Sequence, residues 1–157
     1  MAPDSLAAIR NFLRIDDRLA TSGQPTESQL AEIAAAGFVR VINLGLLDPK
    51  YCLADEAGSV ARLGLRYVHI PVVFGAPTVE DFRAFVAAMD AEPDAPTFVH
   101  CAANYRVSAF VALWGQLRGG WSPERADAHA RAFWALDDKW IDFLAAVRRE
   151  LLAAPAR

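Results

Sequence analysis

Hydrophobic positions along the chain follow two alternating patterns, which predict strands that alternate with helices. Short runs rich in branched apolar residues are typical of strands in the interior of a sheet. They lie at residues 38–44, 65–70 and 97–100, and a shorter run at 18–21 is also predicted to be a strand. Since parallel strands are joined through helices, this order predicts an α/β fold: a mostly parallel sheet with helices on both faces, in three layers.

The predicted helices show apolar residues at spacings of three and four, together with residues that begin and end helices. Thr26 with Gln29, and Thr78 with Asp81, have the spacing of N-terminal caps. The helix at 109–117 is apolar on nearly all sides and is expected to be central and buried. The others are predicted over residues 6–14, from 26 up to Gly37, over 53–63, from 78 onward, from 122 onward, and over 140–151.

Composition and charge restrict the class of protein. A chain of 157 residues with 54% hydrophobic residues predicts one domain over residues 1–157. No apolar run approaches the roughly 18 residues of a membrane span, and Asp4 makes the N-terminus a poor signal peptide. A net charge of −3 without a basic block argues against nucleic acid as a partner. A reducing cytoplasm is the expected location, with no membrane partner.

The segment from Thr97 to Ser108 carries the strongest sign of chemistry. A strand ends in His100-Cys101, Arg106 follows, and a helix begins at once. Ligands of parallel sheets bind beyond the carboxyl ends of the strands, where Cys101 is expected. A free thiol has a pKa near 8.5, so a nucleophile needs its thiolate stabilised, and a helix N-terminus and an Arg side chain provide this.

The same groups suit a phosphate, because Arg106 offers a planar fork and the loop offers backbone N–H groups. Ser108 is expected to donate a hydrogen bond to the thiolate or to assist the departure of the sulfur. The remaining loop residues are expected to surround the bound phosphate; they are His100, Ala102, Ala103, Asn104, Tyr105 and Val107. A buried structural Cys101 beside a solvated Arg106 is the simpler alternative. Cys52 is expected to be inert, and the histidines are too dispersed to indicate a metal.

This loop resembles that of the cysteine-dependent protein tyrosine and dual-specificity phosphatases, whose signature is His-Cys, five residues, Arg, then Ser or Thr. The chain is more similar still to a bacterial subfamily, the phosphatase domains of the beta-lactamase-hydrolase-like type. That resemblance runs from about Ile15 to Trp140. Its most specific parts are the segment Leu19-Ala-Thr-Ser-Gly-Gln-Pro25, the strand Val41-Ile-Asn-Leu44 and the His-Cys loop.

The resemblance implies a cysteine-phosphatase fold and a hydrolase of phosphomonoesters that works through a cysteinyl-phosphate. It implies that Cys101 attacks phosphorus, that Arg106 and the loop amides bind oxygen, and that His100 orients the loop. Ser108 then aids turnover, and no metal or organic cofactor is needed. The implied partners are a phosphorylated small molecule or a phosphoprotein, with phosphate or sulfate able to occupy the loop.

The chain departs from the signature in two ways. Four residues, not five, separate Cys101 from Arg106, so either Arg106 or Val107 occupies the oxyanion-binding position. The loop also lacks glycine, and Asn104 is the residue best able to adopt the left-handed backbone that glycine usually supplies. Such phosphatases usually carry an Asp after the preceding strand, but residues 71–78 contain no acid. Glu80 or Asp81 is the nearest candidate for a general acid, although helix capping explains Asp81 more simply.

Two other functions fit the same residues. One is a catalytically weak phosphate-binding domain that has lost the acid. The other is persulfide transfer, because rhodanese-type sulfurtransferases resemble this loop in placing an Arg shortly after a catalytic Cys.

Overall fold

The computed structural model describes residues 6–152. Five strands form one sheet in the order β1-β2-β5-β3-β4, with β1 antiparallel to β2 and the other pairs parallel. The predicted mostly parallel sheet is therefore confirmed. The strands are β1 (Leu13–Asp16), β2 (Leu19–Ser22), β3 (Arg40–Asn43), β4 (Arg66–His69) and β5 (Thr97–His100).

The helices in the described part of the chain begin at the predicted caps or close to them. Thr26 and Thr78 each form a complete capping box, with Gln29 and Asp81 respectively. The central helix begins four residues earlier than predicted and so starts inside the cysteine loop. The helices are α1 (Glu27–Ala35), α2 (Glu56–Arg62), α3 (Val79–Ala91), α4 (Tyr105–Arg118), α5 (Pro123–Ala130) and α6 (Asp138–Val147), followed by a π-helical turn over Arg148–Leu152.

Two separate hydrophobic clusters lie on opposite faces of the sheet, which confirms the three layers. Successive strand residues point to opposite faces, so Val41 packs with α1 and α2 while Ile42 packs with α3 to α6. The strand β3 is buried along its whole length, as its continuous apolar pattern predicted. Helices thus cover both faces of the sheet, so a ligand can reach it only at the ends of its strands.

The predicted helix over residues 6–14 is wrong. Residues 7–11 form turns, and β1 begins at Leu13. Asn11 has a positive φ of 50°, which a helix does not accommodate. Leu6 and Ile9 are both buried, and their spacing of three, which suits a helix face, also suits two successive turns. Pairing of residues 13–16 with β2 decides the outcome, and that pairing is a tertiary interaction.

No helix within residues 6–152 has both the length and the apolar character that a membrane crossing requires.

Candidate active site

Cys101 lies at the carboxyl end of the central strand. It follows β5 directly, and the last residue of β5, His100, pairs with Ser22 on one side and Asn43 on the other. Cys101 is 1% exposed and begins a short loop that leads into α4. The thiol thus occupies the edge of the sheet at which ligands of parallel sheets bind, as the sequence predicted.

Asn104 gives the loop its shape. Its backbone is left-handed, with φ 69° and ψ 9°, so the prediction that Asn replaces the usual glycine is confirmed. Its side-chain amide donates to the Asn11 carbonyl at 2.8 Å and to Thr21 Oγ1 at 3.1 Å. These two hydrogen bonds, one of them to the fully buried Thr21, offset the cost of the left-handed backbone, about 1–2 kcal/mol for a residue with a Cβ.

The carbonyl groups of the loop are held from outside. The Ala102 carbonyl accepts from the Gln24 backbone N–H at 3.0 Å, and the Ala103 carbonyl accepts from Asn11 Nδ2 at 2.8 Å. Because C=O and N–H point in opposite directions across a trans peptide, the N–H that follows each carbonyl faces the inside of the loop. Within the described chain, no protein acceptor binds the amide N–H groups of residues 102–107. They form a cradle of donors at the N-terminus of α4, an arrangement that suits an anion.

Arg106 supplies the positive charge of the loop. It is only 5% exposed, and Nη1 donates to the Val72 carbonyl at 2.8 Å. The guanidinium carbon lies 5.7 Å from the centre of the Phe74 ring. Nε is buried and has no hydrogen-bond partner among residues 6–152. One side of the guanidinium is therefore anchored, and the Nε side keeps an unused donor, which is costly to bury without an acceptor.

Val107 and Ser108, the two residues after Arg106, are both fully buried. Val107 is fully buried and packs in the larger hydrophobic cluster, so the cation of the loop is one residue earlier than the family signature has it. Ser108 Oγ donates to Asn104 Oδ1 at 3.2 Å. The expected hydrogen bond from Ser108 to Cys101 is absent from the described structure, because the hydroxyl binds the side chain one helical turn earlier instead.

His100 is held by an acid that the sequence reasoning missed. His100 Nε2 lies 2.5 Å from Glu56 Oε2, and Nδ1 lies 3.3 Å from the Cys101 carbonyl oxygen. Gln24 Nε2 donates to Glu56 Oε1 at 2.8 Å. Burial acts to raise the pKa of the Glu56 carboxyl, but the hydrogen bond and charge of His100 and the bond from Gln24 outweigh it and lower that pKa. Glu56 is in the first turn of α2, and no local pattern links it to a residue 44 positions away.

Asp81 serves as a capping residue. Its carboxylate accepts from the Thr78 N–H at 3.1 Å, and its own N–H donates to Thr78 Oγ1 at 3.0 Å. The neighbouring Glu80 is exposed and pairs with Arg83 at 3.4 Å. The structural explanation of Asp81 is thus confirmed, while its role as a general acid stays a prediction.

An aromatic cluster, defined as Phe74, Tyr105 and Trp134, adjoins the cysteine loop. The Tyr105 and Trp134 rings stack at 5.0 Å with an interplanar angle of 5°, and Phe74 lies 5.2 Å from Trp134. All three are partly exposed, and Trp140, fully buried beneath them, donates from Nε1 to the Phe74 carbonyl. No pattern in the sequence singles out Trp134 as a residue beside the loop.

Cys52 is a free thiol beside the site and not a partner of Cys101 in a disulfide. It is half-buried and lines a cavity of about 660 Å³ together with Glu56, Tyr67 and His69. Within residues 6–152, no group of three His, Cys, Asp or Glu side chains is placed to hold a metal ion.

This arrangement of sheet, helices and loop is the fold of cysteine-phosphatase-like proteins. The family described as a dual-specificity and protein tyrosine phosphatase fused to NAD⁺ kinase matches residues 12–142. The chain belongs to this phosphatase family.

Relatives and solved structures agree with that assignment. Beta-lactamase hydrolase-like proteins of Xylella fastidiosa (strain Temecula1) and Agrobacterium fabrum (strain C58) are each 32% identical, over 76% and 68% of this chain. The chain spans only 28% and 25% of their lengths. A crystal structure of a candidate phosphatase (DUF442) from Shewanella putrefaciens CN-32 has 38% identity and a TM-score of 0.85, covering 94% of this chain and 97% of that one.

A more distant structure, Tk-PTP in its active form, shares the fold. It has 22% identity and a TM-score of 0.76, and the match covers 89% of this chain and 97% of that chain. The family assignment favours a phosphatase over the sulfurtransferase that the four-residue spacing also allowed.

Proposed function

We propose that this protein is a cysteine-dependent phosphatase that hydrolyses phosphomonoesters of phenols, phosphotyrosine among them. The observation that carries the proposal is that hydrogen-bond donors without a protein acceptor follow Cys101 in the same loop. The amide N–H groups of residues 102–107 and the buried Nε of Arg106 lack protein acceptors in the described structure, and all belong to the segment that follows the thiol. A buried charged donor needs an acceptor, and the oxygens of a phosphate suit both this donor and the loop amides.

The chemistry follows from those groups. The loop amides and Arg106 bind the non-bridging oxygens and stabilise the negative charge on the phosphoryl group. The Cys101 thiolate attacks phosphorus, an S–P bond forms, and the bond from phosphorus to the phenolic oxygen breaks. The phenolate leaves with the electron pair and takes a proton from solvent. Water then attacks the cysteinyl-phosphate, which releases inorganic phosphate and restores the thiolate.

Two features of the site support phenolic esters as substrates. No acid lies in residues 71–78, and a missing general acid costs about 10²–10⁴ in rate when the leaving group needs a proton. A phenolate needs that proton least. The aromatic cluster of Phe74, Tyr105 and Trp134 also provides ring faces beside the loop, against which an aryl group can stack.

The test is hydrolysis of p-nitrophenyl phosphate by the wild-type chain and by two matched variants. Cys101→Ser is expected to abolish turnover, and Cys52→Ser, which removes the other thiol, is expected to leave it intact. Orthovanadate should inhibit competitively because it imitates the five-coordinate phosphorus. Equal activity in wild type and Cys101→Ser would overturn the proposal.

A phosphate-binding domain without turnover is the second candidate, because Asp81, a candidate acid shortly after residues 71–78, is occupied in capping Thr78. The same residues would then hold phosphate or a phosphoprotein without cleaving it. Calorimetric titration with inorganic phosphate separates the two candidates: binding without hydrolysis of any aryl phosphate favours this one.

A further inference from the structure

A buried acid–base pair joins the start of α2 to the residue that precedes the thiol. The side chains of Glu56 and His100 are 1% and 0% exposed, and their oxygen and nitrogen lie 2.5 Å apart. Charged groups are unfavourable in the interior unless they are paired and fully hydrogen-bonded. Burial of this pair therefore costs free energy of folding, and packing alone gives no reason for the pair to be there.

The hydrogen-bond partners determine the protonation of His100. Nδ1 faces the Cys101 carbonyl oxygen, which can only accept, so Nδ1 carries a proton. Nε2 faces Glu56, whose second oxygen already accepts from Gln24. Because the pKa of the Glu56 carboxyl is lowered, that group is an ionised acceptor and Nε2 also carries a proton. With Glu56 as an ionised acceptor, both ring nitrogens of His100 act as donors.

The carbonyl that His100 binds belongs to the first peptide of the loop. Across a trans peptide, the Ala102 N–H points opposite to the Cys101 carbonyl. With the carbonyl held on the interior side by Nδ1, the Ala102 N–H faces the cradle. If the ring turned away, the Cys101 carbonyl would lose the donor that lies 3.3 Å from it, and this peptide would be free to rotate.

We propose that Glu56 is a positioning residue: its carboxylate accepts from Nε2 of His100 and so holds the ring with Nδ1–H on the Cys101 carbonyl. This fixes the Cys101–Ala102 peptide with its N–H directed at the substrate phosphate. Its effect on catalysis rests on the phosphatase function proposed above. Its effect on the protonation of His100 does not depend on that function.

Other titratable groups near Glu56 do not replace it. His69 and Tyr67 both face the pair from β4. His69 Nε2 is hydrogen-bonded to the Gly45 carbonyl at 2.7 Å. Burial raises the pKa of Tyr67 to about 12, so its phenol stays neutral over the working range. Asp55, next along the chain, is exposed and caps α2 through the Gly58 N–H. Glu56 is the carboxylate that contacts His100.

The kinetic test uses Glu56→Gln, which keeps the size of the side chain and removes its charge. At pH 7.5 we expect kcat/KM for p-nitrophenyl phosphate to fall on the order of 10- to 100-fold, as for loss of a hydrogen bond between charged groups. Most of the loss should be in kcat. The deficit should shrink as the pH falls, because a proton from solvent then supplies the N–H at Nε2 that the amide oxygen of the variant can accept. A deficit of constant size at every pH, or none, would overturn the proposal.

Glu92→Gln is the matched control. Glu92 forms ion pairs with Arg66 and Arg40, at the opposite end of the sheet from Cys101. The same chemical change there should leave kcat/KM unaltered across the pH range. Glu56→Asp keeps the charge with a shorter reach, so its smaller deficit should not vary with pH. If Glu56→Gln does not fold, Glu56→Asp takes its place in the kinetic comparison.

Nitrogen-15 NMR of the imidazole rings tests the pair without any substrate. At pH 7.5 the wild-type His100 ring, assigned by comparison with His100→Gln, should show two protonated nitrogens. Glu56→Gln should show one. A neutral His100 in the wild type would overturn the proposal. Two protonated nitrogens in a chain without turnover would instead reject the proposed phosphatase activity and retain the positioning role.

Discussion

Gly23 lies against the carbonyl of Ala102 so closely that a Cβ at Gly23 would be 2.6 Å from that oxygen. The contact is backbone to backbone, and the next residue, Gln24, donates its N–H to the same oxygen at 3.0 Å. A side chain cannot enter without displacing one of the two segments. The segment Ser22–Pro25, which carried much of the family resemblance, therefore functions as an outer support of the cysteine loop.

We expect Gly23→Ala to displace the loop and to lower both activity and stability. Overpacking of this kind typically costs about 1–3 kcal/mol. Urea unfolding and hydrolysis of p-nitrophenyl phosphate measure the two effects. Gly75→Ala is the control, because its Cβ would meet only Lys139 Nζ at 3.9 Å. Wild-type activity in Gly23→Ala would show that the loop does not depend on this support.

Asn104 combines a left-handed backbone with a buried, hydrogen-bonded side chain, and two substitutions separate these contributions. Asn104→Gly relieves the backbone but leaves Thr21 and Asn11 without their donor. Asn104→Ala loses the same bonds and adds about 1–2 kcal/mol of backbone strain. The free energy of unfolding should therefore decrease from wild type to Gly to Ala. An Ala variant at least as stable as the Gly variant would contradict the left-handed conformation.

Arg106→Lys keeps the positive charge but loses the planar fork. A lysine has all its donors on one nitrogen, so it cannot hold the Val72 carbonyl with one nitrogen and present a second, fixed nitrogen to an anion. We therefore expect kcat/KM to fall at least 10²-fold, a typical effect of removing one oxyanion donor. Arg118→Lys is the comparison, since Arg118 is an exposed residue paired with Asp90. Equal kinetics for Arg106→Lys and wild type would rule out fork-like binding of the phosphate.

Asp81→Asn distinguishes capping from acid catalysis, because an Asn side chain can still accept from the Thr78 N–H but cannot protonate a leaving group. We expect phenyl phosphate and p-nitrophenyl phosphate to be hydrolysed at rates within a factor of two of wild type. Selective loss of about 10²-fold or more on phenyl phosphate, the poorer leaving group, would identify Asp81 as the acid.

His129 makes stability depend on pH. Burial, reinforced by the charge of Arg125, lowers the pKa of His129 from 6.5 to about 4. Between these values the unfolded chain binds a proton that the folded chain excludes, so the free energy of unfolding should fall as the pH drops from 6.5 to 4. In His129→Gln this part of the decline should disappear. Parallel curves of unfolding free energy against pH, measured by urea unfolding of the two proteins, would contradict the assignment of this decline to His129.

Local patterns in the sequence were sufficient for the strands, the helix caps and the position of Cys101. The strand Thr97–His100 has the predicted bounds, and Asn104 has the predicted conformation. Local patterns could not predict which residues far apart in the sequence contact one another. The turns before β1, the Glu56–His100 pair and the stacking of Trp134 on Tyr105 each depend on contacts between separate segments. The Ser108 hydroxyl donates to Asn104 Oδ1 and not to the thiol, because a hydroxyl has several acceptors within reach and only the folded loop selects one. The part of Ser108 in turnover stays a prediction.

The reciprocal bonds between Asn11 and the cysteine loop have a consequence for the order of folding. Asn11 donates to Ala103, and Asn104 donates back to Asn11, across 92 and 93 positions of the chain. Contacts over such distances form late, after the local helices, because the intervening chain must first be brought together. The loop can complete its shape only when the first and the last thirds of the domain have met. Recovery of anion binding during refolding is therefore expected to trail the recovery of helical signal.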